Sequence, residues 1–203
     1  MIQGANYSWF LGNLYYVNWS VSKISDKYEG ALSAVPILER VKRKLSARKL
    51  KGINIVKIGV RASPTEVIYC VFDSERDEVV NIGKICIPKS LGVPEQLKHI
   101  RLNLLDVLRE YEISEAGIRI LEPTTQSVSI ERVQIEGVIQ EAFASSNVKN
   151  YYIGQISSIA SRVGIERNQF KPLVDGDASF EGFEGWGDLS KTEREATLCA
   201  MGA

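Results

Sequence analysis

In the stretch Val56 to Asp73, VKIGVRASPTEVIYCVFD, Arg61 ends a β-branched run otherwise apolar enough to be buried. A guanidinium keeps its charge in proteins, so there it is either a solvated strand end or half of a buried ion pair. Arg40, Lys42, Arg43, Lys44, Arg48, Lys49 and Lys51 form a second group, seven basic residues with no acid among them. Such a run either meets phosphate or coats the solvated face of a helix. Seven acids between Asp175 and Glu195, against Lys191 and Arg194, balance it elsewhere in the chain. Asp175 and Asp177 in VDGDAS are spaced like a fragment of an oxygen-ligand metal loop. The ligands that would complete it are missing, and Asp-Gly-Asp is more often a turn. Asp73, Glu75 and Asp77 surround another turn and read as solvated. Ser63 and Cys70 have no evident base, because the sole histidine, His99, lies between Lys98 and Arg101 on a helical stretch. A nucleophilic triad is therefore not expected.

The elements that must position these residues follow from periodicity. INIVKIGV, EVIYCVFD and EVVNIGKICI read as three strands with short turns, an antiparallel meander. VPEQLKHIRLNLLDVLREYEI keeps apolar residues at three-four spacing, with Pro94 near its first turn, and reads as a long helix. AGIRILEP follows as a short buried strand, then SVSIERVQIEGVIQEAFASS as a helix, KNYYIG as a strand and QISSIASRVG as a helix. Strand-helix-strand at this spacing implies parallel strands with crossover helices. The expected architecture is α/β, a mixed five-stranded sheet of order βββαβαβα flanked by helices. Residues 164–190 look irregular, with FEGFEGWGD a flexible surface loop, and KTEREATLCAMGA closes the chain as a helix. The Gly-rich acidic loop is expected over 174–190.

Residues 1–52 look like a separate extension, and 53–203 like one domain. In the extension, Gly12-Asn13 between aromatic runs suggests a hairpin. A basic amphipathic helix is plausible after Pro36. Three readings of this extension stay open: a solvated helix, a nucleic-acid contact with Trp9, Phe10, Tyr15, Tyr16 and Trp19 stacking on bases, and an arm for a protein partner or homo-oligomer through residues 1–24.

At 203 residues, 44% hydrophobic and 25% charged, the composition is that of a globular protein. No window approaches a membrane span, and the N-terminus makes a poor secretory signal. Three cysteines without metal spacing favour reduced thiols and a cytoplasmic location, and one histidine excludes a His-built metal cluster.

The element order and three short motifs resemble the ribonuclease H-like fold, in its RuvC-type branch of Holliday junction resolvase relatives, over roughly residues 54–202. KIGVRAS resembles the family's first-strand Gly-hydrophobic-Asp motif, with Arg61 in the Asp place. IRILEPTTQSVSIERVQIEGVIQEA matches the fourth strand and following helix, putting Glu122 at the catalytic Glu position. EREATLCA resembles the final helix, with Glu195 at its acid and Thr192 where a second carboxylate is common. The resemblance implies nucleic-acid chemistry assisted by two Mg²⁺ or Mn²⁺ ions roughly 4 Å apart. Arg61 argues against that centre, since it cannot ligate a cation and repels one. It is expected to pair with Glu122 instead and to substitute for the cation.

Three functions follow. The favoured one is a catalytically degenerate RuvC-like domain that binds nucleic acid, DNA more than RNA, or assembles on it, with no cofactor. The second is a divergent Mg- or Mn-dependent nuclease using Glu122 and Glu195 as metal ligands, with Asp175, Asp177 or Asp188 brought in by the loop. The third is an oligomeric interaction module.

Overall fold

A computed structural model describes residues 55–122 and 128–203, all within the compact unit Ile53–Ala203. The extension, with the expected hairpin and helix and the basic run 40–51, lies outside the described residues. Three strands open the domain: β1 (Val56–Ala62), β2 (Glu66–Asp73) and β3 (Glu78–Cys86). Helix α1 (Val93–Glu110), strand β4 (Glu115–Arg119), helix α2 (Ile130–Ala144) and strand β5 (Asn150–Gly154) follow. Helices α3 (Ile156–Arg162), α4 (Arg167–Asp175) and α5 (Lys191–Met201) complete it, with a 3₁₀ turn at Trp186–Asp188. The sheet order is β3-β2-β1-β4-β5. The first three strands are antiparallel neighbours, while β4 runs parallel to both β1 and β5. The expected mixed sheet and its crossovers are therefore present. No described helix is long and apolar enough to cross a membrane.

Alternation sends the side chains of β1 and β4 to two different layers. Ile58, Val60 and Ala62 of β1, with Ala116 and Ile118 of β4, join the main core beneath α1 and α2. Ile100 and Leu104 come from α1, and Ile139 and Phe143 from α2, at helical spacing. On the other face, Ile68, Cys70 and Phe72 of β2 pack on Ala196 and Ala200 of α5.

Helix α5 lies almost against the sheet backbone because Gly59 and Gly117 leave it room. A Cβ on Gly59 would sit 2.0 Å from the Ala196 carbonyl oxygen, and one on Gly117 would sit 2.7 Å from that of Cys199. Both obstacles are helix backbone, so only the missing side chain permits this approach.

Two expectations about the last third need correction. Residues 167–175 form a helix rather than irregular chain, with Phe170, Leu173 and Val174 buried on one face. The Gly-rich stretch is irregular as expected, but it is anchored by its aromatics. Trp186 is 2% exposed, donates its Nε1–H to the Leu173 carbonyl at 3.0 Å, and meets the Phe180 and Phe183 rings. Burying one indole with its N–H satisfied offsets part of the ordering cost of a loop this rich in glycine.

Candidate functional site: an arginine–glutamate cluster at the strand ends

Arg61 follows Gly59 by two residues on β1, and Arg119 follows Gly117 by two on β4. The parallel register pairs Gly59 with Gly117 and Arg61 with Arg119. Both arginines therefore leave the sheet on the α5 side, next to each other, at the carboxyl ends of the two central strands. Sequence reasoning singled out Arg61 and missed Arg119. The signal was available in the repeated Gly-apolar-Arg of IGVR and AGIR.

Helix α5 brings an acid to them. Its start is fixed by a capping box: Ser190 Oγ accepts the Glu193 N–H at 3.4 Å, and Glu193 Oε2 accepts the Ser190 N–H at 2.7 Å. These bonds to Ser190 hold the Glu193 carboxyl below the usual carboxylate range. Glu193 is thus committed to the cap, while Glu195 turns inward and is 7% exposed. Its Oε2 accepts a hydrogen bond from Arg61 Nε, and its Oε1 lies 3.7 Å from Arg119 Nε. Arg61 does not pair with Glu122 as expected; the acid beside it comes from the final helix. Glu122 lies at the mouth of the cluster, with Arg119 Nη2 at 3.1 Å from its Oε1. The same oxygen accepts the Ile156 N–H, at the first residue of α3, at 2.8 Å.

A third pair joins from α2. Arg132 Nε donates to Glu136 Oε1 at 2.7 Å, four residues on, and Glu136 Oε2 accepts the Leu121 N–H at 3.3 Å. Burial and the neighbouring Arg61 and Arg119 charges lower the Arg132 pKa, against the pull of Glu136. Three guanidiniums and three carboxylates thus meet at one end of the sheet. Among the described residues, Arg119 Nε and Arg132 Nη2 are buried there without a hydrogen-bond partner.

A divalent metal does not fit this arrangement. Such an ion needs anionic oxygens to balance its charge, and Glu122, Glu136 and Glu195 already face guanidiniums. Each guanidinium about 4 Å from a divalent ion adds roughly 8 kcal/mol of repulsion at an effective dielectric near 20. Among the described residues no three His, Cys, Asp or Glu gather as a metal shell requires. Thr192, one turn before Glu195, is half-buried with its hydroxyl 3.4 Å from Ser190 Oγ.

The remaining candidates lie apart from this cluster. Asp175 pairs with Lys191 at 2.5 Å, and this contact keeps its carboxyl below the ordinary range. Asp177 and Asp188 are exposed. Asp73 is buried rather than solvated, accepting the Glu75 and Arg76 N–H groups at 2.9 and 3.2 Å as a turn residue does, while Glu75 and Asp77 are exposed. Ser63 closes the β1–β2 turn on the Glu66 carbonyl at 2.8 Å. Cys70 is fully buried, and His99 Nε2 sits 3.2 Å from the Cys86 carbonyl.

No protein-family model matches the sequence, and no curated protein matches it. Solved structures do. RuvC from Thermus thermophilus superposes with a TM-score of 0.55 at 11% identity, over 73% of this chain and 92% of that one. The fold is that of RuvC. The T. thermophilus RuvC bound to a Holliday junction substrate gives a TM-score of 0.52 at 12% identity, over 73% of this chain and 91% of that one. The yeast mitochondrial Holliday junction resolvase Ydc2 aligns at 0.44 and 14% identity, over 78% of this chain and 84% of that one. The RuvC-like, ribonuclease H-type sheet expected from the sequence is therefore present, with arginines ending both of its central strands.

Proposed function

We propose that residues 53–203 are a RuvC-fold domain that has given up metal-dependent cleavage and acts as a nucleic-acid-binding or assembly module. One observation carries this reading: Arg61 and Arg119 end β1 and β4 side by side, and both face Glu195. The carboxylates that would serve a cation are neutralised by guanidiniums instead. In this reading the basic residues Arg40, Lys42, Arg43, Lys44, Arg48, Lys49 and Lys51 engage phosphates, with DNA preferred over RNA. The test is binding of the full chain to duplex, branched and single-stranded DNA across a salt series. Each phosphate that a lysine or arginine neutralises adds about 0.9 to the steepness of the logarithmic salt dependence on duplex. We expect affinity that falls with salt, and a shallower slope when the seven basic residues are replaced by glutamine. Absence of binding, or binding indifferent to salt, contradicts the reading.

The nuclease reading draws on a second observation. Glu122 and Glu195 share Arg119 as a partner, at 3.1 and 3.7 Å, so the two candidate ligands do stand close together. Magnesium- or manganese-dependent cleavage of branched DNA, abolished by Glu122→Gln, would establish it. If residues 1–24 also mediate assembly, deleting them reduces the mass measured by light scattering.

A further inference from the structure

Three guanidiniums carry far more N–H groups than the cluster uses. Arg61 donates through Nε to Glu195 and through Nη1 to the Ala62 carbonyl, the latter at 2.7 Å. Arg119 donates through Nη1 to the Ile120 carbonyl and pairs through Nη2 with Glu122, leaving Nε without a hydrogen bond among the described residues although the side chain is only 6% exposed. Arg132 directs Nε to Glu136 and leaves Nη2 buried and unbonded among the described residues. Unsatisfied N–H groups at such depth are costly, so an acceptor brought to them by a small shift of these side chains would recover that cost.

We infer that Arg61, Arg119 and Arg132 together receive a phosphate group, in the place where a metal-dependent relative of this fold would hold cations. This rests on the nucleic-acid reading above and names the chemistry of that same site. Guanidiniums suit the role because their planar forks address two oxygens of one anion. The cluster is already balanced, three arginines against Glu122, Glu136 and Glu195. A singly charged phosphodiester therefore disturbs it less than a doubly charged free phosphate. The side chains of Arg61, Arg132 and Glu122 are 16, 13 and 22% exposed and that of Arg119 only 6%, so an approaching anion would meet Arg61 and Arg132 first.

The experiment uses the full chain, labelled for arginine side-chain nitrogen resonance. It is titrated separately with inorganic phosphate and with a short thymidine oligonucleotide. The Nε–H signals of Arg61 and Arg132, assigned with Arg61→Lys and Arg132→Lys, should move saturably with the oligonucleotide and at least tenfold more weakly with inorganic phosphate. Equal response to both probes supports the receptor and identifies free phosphate as a second source. Signals that stay still with both probes overturn it, and because this is read on the unsubstituted protein, a misfolded variant cannot obscure the result. If the oligonucleotide still binds with its salt dependence while these signals stay still, the receptor fails and the nucleic-acid reading stands. If the signals move with inorganic phosphate but no DNA binds, the reading fails and the receptor stands.

Discussion

Arg119 and Arg194 lie at nearly equal depth, 5 and 8% exposed, yet opposite chemistry holds their guanidiniums. Among the described residues Arg194 donates only to backbone carbonyls: Trp186 at 3.0 Å, Val174 at 3.1 Å and Gly187 at 3.0 Å. Its three nitrogens are all used, and they draw the end of α4 and the 3₁₀ turn onto α5. Arg119 instead faces two carboxylates and, among the described residues, keeps Nε unbonded. The first arrangement closes a corner of the architecture. The second holds opposite charges together without exhausting the donors, and that is why only the second is a candidate for ligand chemistry.

Removing the acid shared by Arg61 and Arg119 breaks the contrast most directly. Glu195→Ala leaves two partly buried guanidiniums short of a carboxylate, and we expect a loss of about 3–5 kcal/mol in denaturant-unfolding stability. At the other corner, Arg194→Ala leaves the Trp186, Val174 and Gly187 carbonyls without their donor. A loss of about 2–3 kcal/mol is expected, together with faster proteolysis between residues 176 and 188. Its DNA affinity should match the parent protein under conditions where both are folded. Equal effects of the two substitutions on DNA binding would erase the distinction between the corners.

Chemical labelling sharpens the comparison beneath the arginines. Burial pushes the Cys70 and Cys199 thiols up to about 12, with the Glu195 charge adding to the effect at Cys199. Cys86 is exposed. A thiol reagent at pH 8 should therefore modify one cysteine of the native chain and all three after unfolding. Fast native labelling of Cys199 would mean that α5 opens from the sheet.

The smallest effect belongs to the surface. Hydrogen bonds from Arg101 and then Ser145 hold the Glu141 carboxyl at about 2. A carboxyl lowered on folding stabilises the fold above its ordinary pKa near 4.5, and that contribution is lost as pH falls toward 2. Glu141→Gln should flatten the dependence of the unfolding midpoint on pH in that window by a small amount, since the pair is solvent-screened.

The sheet, its crossovers and α5 could be read from hydrophobic period and turn chemistry, because those are local properties. Helix α4 was hidden by Pro172 and by a polar composition, although Phe170, Leu173 and Val174 do carry helical spacing. Glu195 was singled out by the final-helix motif, but its pairing with Arg61 could not be read. It lies 134 positions away, and only the close approach permitted by Gly59 and Gly117 brings α5 near enough. Arg119 was legible in principle: the same Gly-apolar-Arg ends two strands that the topology makes neighbours. Arg132 and Glu136 likewise stand four apart on one helix, an ordinary pair until the fold sets them beside the strand ends.

The central claim is that guanidiniums hold the ground where a divalent ion would sit. A crystal of the domain grown with Mn²⁺ and read by anomalous scattering tests it most directly. We expect no manganese peak between Glu122 and Glu195, with Arg61 still bonded to Glu195. A manganese ion coordinated by both carboxylates, with Arg61 and Arg119 swung away, would contradict it.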